Sequence, residues 1–131
     1  MGLSLLLGFA TTFGIVGTGS VAYAADLAVV IDDVGYNKSR GLRAVRLPGP
    51  LTIAVLPFAP HTNYLVDEAH RASKDVIIHQ PMEPLPGAHV RLESDTLMAA
   101  MSHAQFDRTV ERAIAAVPNT LGFSCLLYTS P

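Results

Sequence analysis

Three places in the sequence set metal-binding or proton-moving residues at the ends of short apolar runs. Asp32-Asp33 follows Leu27-Ala28-Val29-Val30-Ile31, and His79 closes Val76-Ile77-Ile78. His61 follows Leu51-Thr52-Ile53-Ala54-Val55-Leu56 after the turn Pro57-Phe58-Ala59-Pro60. Two imidazoles and a carboxylate form a common ligand set for a divalent metal, and a second carboxylate beside them can serve as base. An Asp pair after a strand serves equally well to cap the next helix or shape a turn. What favours chemistry is that all three places fall at the same end of their runs. His70 and His103 lie within or at the start of helical stretches and read as solvent-facing. Glu83 stands four residues after His79, but Pro81 and Pro84 argue against a helical pairing of the two.

The elements that position these residues follow from the hydrophobic pattern. The apolar runs are short, continuous and β-branched, as strands covered on both faces are. Residues 62–72 read as a helix with Thr62 or Asn63 as N-cap and Leu65, Val66 and Ala69 on one face, and residues 37–45 hold a shorter one. Residues 102–117 are the clearest helix. Ser102-His103-Ala104-Gln105 forms a capping box, Met101 and Phe106 a hydrophobic staple, and Pro118 stops the run. A fourth apolar run begins at Leu121-Gly122-Phe123, and residues 81–98 form a loop interrupted by Pro81, Pro84 and Pro86. Strands alternating with helices fit a doubly wound sheet or a β/α barrel, and both place ligand chemistry at the carboxyl ends of the strands. With strands about 4.8 Å apart, three successive ends bring Asp32-Asp33, His61 and His79 within roughly 10 Å.

Composition narrows the partners. The 131 residues carry a net charge of -2, and no broad basic field points to nucleic acid. The single cysteine, Cys125, excludes an intrachain disulfide and a Cys-based zinc cluster. No charged residue occurs before Asp26, and an apolar stretch leads to Ala22-Tyr23-Ala24, so residues 1–24 are expected to be a signal peptide cleaved before Ala25. An uncleaved membrane anchor is the alternative, and either places the remainder outside the cytoplasm, in the periplasm or secreted.

Three segments carry a resemblance. Val30-Ile31-Asp32-Asp33-Val34-Gly35-Tyr36, Ile53-Ala54-Val55-Leu56-Pro57-Phe58-Ala59-Pro60-His61 and Ile78-His79-Gln80-Pro81-Met82-Glu83-Pro84 resemble the successive motifs of the divergent polysaccharide deacetylase family. The last commonly reads His-Leu-Pro-Met-Glu-Pro there, so Gln80 is a departure. The resemblance implies the N-terminal part of a β/α barrel, incomplete here, removing acetyl groups from an envelope or extracellular polysaccharide or a peptidoglycan-like substrate. It implies a divalent metal, zinc first, held by Asp33 and His79, with Asp32 as general base. The second imidazole then comes from His61 or from a residue further on. Tyr36, Asn63 and Tyr64 are available to line a sugar site.

The family continues, after a stretch like 117–122, into an Asn-Asn-His-Met-Gly-type motif. Here Phe123-Ser124-Cys125-Leu126-Leu127-Tyr128-Thr129-Ser130-Pro131 stands in its place. The expected domain therefore spans 25–123, and 124–131 is expected to be a non-native tail that leaves this chain inactive alone. A β/α barrel needs about 250 residues. The competing expectation is a non-catalytic envelope protein that keeps the fold and binds glycan or protein partners.

Overall fold

β-Branched runs without helical period favour extended backbone, and the stretches between them repeat their apolar positions every three to four residues. The computed structural model describes residues 27–86, 91–93 and 95–126. Its elements are β1 (Val30–Val34), α1 (Lys38–Val45), β2 (Thr52–Val55), α2 (Thr62–Arg71), β3 (Asp75–Pro81), α3 (His103–Ala116) and β4 (Phe123–Leu126). The expected leader, 1–24, lies outside the described residues, as does 127–131 of the expected tail. Among the described residues, no helix is long and apolar enough to cross a membrane.

Every strand pairing is parallel, and neighbours in the sheet are neighbours in sequence, β1-β2-β3-β4. A doubly wound sheet reverses its order of strand addition at a switch point. Four strands added in one direction make an arc of a β/α barrel instead. Right-handed crossovers that always step the same way carry their helices to the same face. The fold is thus the expected parallel α/β arrangement, with the barrel not closed: among the described residues, β1 and β4 each pair on one side only.

The core lies between that face and the helices. Ile53, Val55, Val76 and Ile78 meet Leu65, Val66 and Ala69 of α2, Ala113 of α3 with the adjoining Val117, and Val45 of α1. Burying a side chain such as Leu65 contributes about 1.5–3 kcal/mol. α1 approaches α2 so closely that a Cβ at Gly41 would lie 2.5 Å from Leu65 Cδ1. On the opposite face, strand alternation places Ala54, Ile77, His79 and Ser124.

Locally encoded features appear where expected. Ser102 caps α3, and Gln105 Oε1 accepts from the Ser102 backbone N–H at 2.9 Å, completing the capping box. Asn37 caps α1 through the Arg40 N–H at 3.0 Å. Three boundaries differ. The N-cap of α2 is His61, because the Thr62 hydroxyl is drawn inward to donate to the Leu56 carbonyl and Thr62 joins the first turn. β1 starts at Val30 and includes Asp32-Asp33 rather than ending before them. β3 extends through Pro81, so His79 stands within the strand rather than at its close. Pairing with β4, Ile78 to Phe123 through Pro81 to Leu126, extends that strand.

Candidate functional site

The aspartate pair is presented by an irregularity in β1. Ile31 pairs with Ile53 and Val34 with Val55, so two residues of β1, Asp32 and Asp33, stand opposite the single residue Ala54. Such a bulge bends the strand and re-aims its side chains. Asp33 takes a left-handed φ of 54°, a conformation that aspartate tolerates better than most residues. Val34 then re-enters the ladder and is buried.

The turn after the bulge is fixed from the β2 side. The Leu56 N–H donates to the Val34 carbonyl at 2.9 Å and the His61 N–H to the Gly35 carbonyl at 3.1 Å. Gly35 has a φ of 150°, and a Cβ there would lie 2.6 Å from Ala59 Cβ. Only glycine fits this junction.

His79 is held in the opposite way, inside a regular strand and 4% exposed. Its Nδ1 lies 2.7 Å from Ser124 Oγ on the neighbouring strand, where His79 and Ser124 are register partners. Its Nε2 lies 3.4 Å from Asp33 Oδ1 and is buried without a hydrogen-bond partner. Asp33 reaches His79 across β2, which presents the small residue Ala54 opposite the bulge. With the proton on Nδ1, donated to Ser124, the Nε2 lone pair faces the Asp33 carboxylate; with the proton on Nε2, that N–H is directed to the carboxylate instead. In the first tautomer, two acceptors at that separation repel unless a positive charge stands between them.

The gap suits a shared cation. Two ligands bound at about 2.0–2.1 Å with a tetrahedral angle between them stand roughly 3.3 Å apart. An imidazole nitrogen and a carboxylate oxygen are a donor pair appropriate to zinc. Asp33 and His79 therefore fit as two members of a ligand set. Among the described residues, no group of three or more His, Cys, Asp or Glu side chains is arranged to hold one ion. His61 is tied beside the pair by its main chain, but its ring is not grouped with them.

Asp32 and Asp33 open onto a cleft of about 510 Å³, also lined by Tyr36, Asn37, Arg40 and Glu93. That volume is in the range of small-molecule sites. The Tyr36 hydroxyl donates to Glu93 Oε2 at 2.5 Å, tying the long loop to the end of β1. Asn63 and Tyr64 do not line this cleft. Tyr64 instead lies under Lys38, with Nζ 4.0 Å from the ring centroid. Glu83 acts structurally: its Oε2 accepts from the Ala99 N–H at 2.5 Å.

Sequence reasoning missed Ser124, Arg40 and Glu93. Ser124 becomes visible only through the β3–β4 register, and Glu93 only through the folding of a loop without periodicity. Arg40 had a local signal in its helical position, three residues after Asn37.

A model of divergent polysaccharide deacetylases matches residues 29–124. The chain belongs to the divergent polysaccharide deacetylase family. It is 35% identical over 105 residues to the uncharacterized protein YibQ of Escherichia coli (strain K12), covering 80% of this chain and 32% of that protein. An uncharacterized protein of Haemophilus influenzae is 34% identical over 98 residues, which are 75% of this chain and 34% of the relative. The chain thus spans about a third of the length of these curated relatives. The crystal structure of the uncharacterized protein ATU2773 from Agrobacterium tumefaciens C58 shares the fold. Its TM-score is 0.73 at 22% identity, over 82% of this chain and 44% of that one.

Proposed function

We propose that this chain supplies part of the site of a metal-dependent carbohydrate deacetylase acting outside the cytoplasm. The observation that carries the reading is the buried, unpartnered Nε2 of His79 held 3.4 Å from the Asp33 carboxylate. Asp33 and His79 are the proposed ligands of a divalent cation, zinc first, and His61 is the candidate for a third position. A bound cation would polarise an acetyl carbonyl and acidify a bound water. Asp32, exposed on the bulge beside Asp33, is the proposed base that takes the water's proton. Ser124, the last residue of the family match, orients His79 in this chain by occupying Nδ1, which keeps Nε2 toward the aspartate. The cleft residues Tyr36, Asn37 and Arg40 offer hydrogen bonds to a sugar.

A second reading is a non-catalytic envelope protein that binds glycan. It is favoured by the grouping of only two potential ligands among the described residues. Zinc titration followed by calorimetry, on a protein carrying this chain at the length of its relatives, separates the two. We expect Asp33→Asn and His79→Gln to weaken zinc binding at least about tenfold. Asp32→Asn should retain the metal and lose about 100-fold or more in deacetylation of chito-oligosaccharides or peptidoglycan. Zinc binding indifferent to Asp33 and His79, or deacetylation indifferent to Asp32, would overturn the catalytic reading.

A further inference from the structure

We infer that the outer face of α1 is a docking track for an acidic polysaccharide, which makes the proposed glycan substrate a polyanion. The inference rests on the deacetylase reading only in taking the aspartate cleft as the place where the sugar reacts. The net charge of -2 averages a very uneven distribution. No acidic residue occurs between Asp33 and Asp67, and four of the nine Lys and Arg residues fall in this interval: Lys38, Arg40, Arg43 and Arg46. All four are exposed on α1 or at its C-cap. Among the described residues, none of the four is within ion-pair distance of a carboxylate.

Helical geometry orders these charges. Arg40, Arg43 and Arg46 are spaced by three residues, so they rise about 4.5 Å per step and span roughly 9 Å along the helix. The stripe begins inside the cleft, where Arg40 lines the same walls as Asp32 and Asp33. Guanidinium groups bind carboxylates through paired hydrogen bonds, and a row of them matches anions repeated along a polymer. Within the cleft, Asp32, Asp33 and Glu93 repel anions. A neutral acetylated unit would therefore occupy the cleft while its charged neighbours lie along α1.

The apolar side of α1 speaks against a membrane as the partner. Val45 belongs to the core and Leu42 and Ala44 pack against it, whereas a surface-seeking helix turns its apolar side to lipid. Nucleic acid is disfavoured by the carboxylates at the head of the stripe and by the negative net charge.

The test measures binding of the full chain to polygalacturonate, with neutral dextran as control, at low salt and again at about 150 mM salt. The variant Arg40→Gln/Arg43→Gln/Arg46→Gln keeps good helix formers at exposed positions. We expect it to bind polygalacturonate on the order of tenfold more weakly than the wild type. Raising the salt should weaken wild-type binding similarly, and dextran should not bind. The single variant Arg43→Glu, expected to show a smaller loss in the same direction, serves if the triple variant does not fold. Wild-type protein should bind polygalacturonate equally with and without EDTA, so failure of the metal reading remains distinguishable. Equal binding by wild type and folded arginine variants would overturn the proposal. So would tighter binding to phosphatidylglycerol–phosphatidylcholine vesicles than to the polymer.

Discussion

At the end of β1 the aspartates stand on a bulge, with the Asp33 side chain 65% exposed and its backbone left-handed. At the end of β3, two strands away, His79 and Gln80 lie in an unbroken ladder, 4% and 2% exposed. The two ends meet at Asp33 and His79, so one site joins a buried, regular half to an exposed, irregular one. The difference shows where each half gets its precision. His79 is fixed by packing and by Ser124. Asp33 has little packing, and its position depends on the junction between the β1 and β2 turns at Gly35. The exposed half is therefore the one whose geometry should be more easily lost.

The largest effect is expected at that junction. Gly35→Ala would bring a Cβ to 2.6 Å from Ala59 Cβ and 3.0 Å from Thr62 Oγ1, at a φ of 150°. Neither neighbour is the end of a long, flexible side chain. Overpacking together with unfavourable backbone geometry should cost about 3 kcal/mol in urea unfolding. A loss below about 1 kcal/mol would show that the turn gives way, and that the two halves differ less in rigidity than their burial implies.

A smaller loss is expected on the β3 side. Buried Asp95 accepts from Gln80 Nε2 through its carbonyl at 2.9 Å and pairs its carboxylate with Arg112 Nη1 at 2.9 Å. The Arg112 guanidinium also lies 5.3 Å from the Phe58 ring centroid. Arg112→Ala would leave a buried carboxylate with one cation fewer. Since Arg112 is itself 64% exposed, solvent screens much of the pair. The expected cost is about 1–2 kcal/mol, read as a lowered urea midpoint at unchanged slope. No change would mean that the β3 end is held by its apolar contacts alone.

The same division explains what could be read from the chain without coordinates. The alternation of strands with helices, the α3 capping box and the apolar face of α2 depend on residues close in sequence or on simple periodicity, so they were legible. The bulge was not, because it is defined by which β2 residue Val34 pairs with. Its one local signal was an apolar residue resuming after two aspartates. The place of His79 inside β3 depended on β4, more than forty residues on, as its 45-residue separation from Ser124 makes plain. The nearness of Asp33 and His79 was legible, although His79 lies within its strand rather than at the end where it was expected. That His61 does not complete a ligand group with them among the described residues was not legible, since its main-chain bond to Gly35 anchors the residue without directing its imidazole.

The smallest expected effect has the opposite sign and tests how regular the β3 end is. Gln80 stands where leucine is common in the family, and its Oε1 is buried without a partner while Nε2 donates to the Asp95 and Pro81 carbonyls. Gln80→Leu removes an unsatisfied acceptor and adds apolar contact, at the loss of two donated bonds. The Pro81 carbonyl still accepts from the Leu97 N–H at 2.9 Å, so it keeps a donor in the variant. Desolvation of an orphan acceptor generally exceeds the net worth of one hydrogen bond, so the variant should be more stable by about 1 kcal/mol. Zinc binding should be unchanged, because Gln80 faces the helices and His79 the opposite side of the sheet. A comparable loss of stability instead would mean that the amide ties the Asp95 loop to β3, and that the buried half of the site also depends on a local clamp.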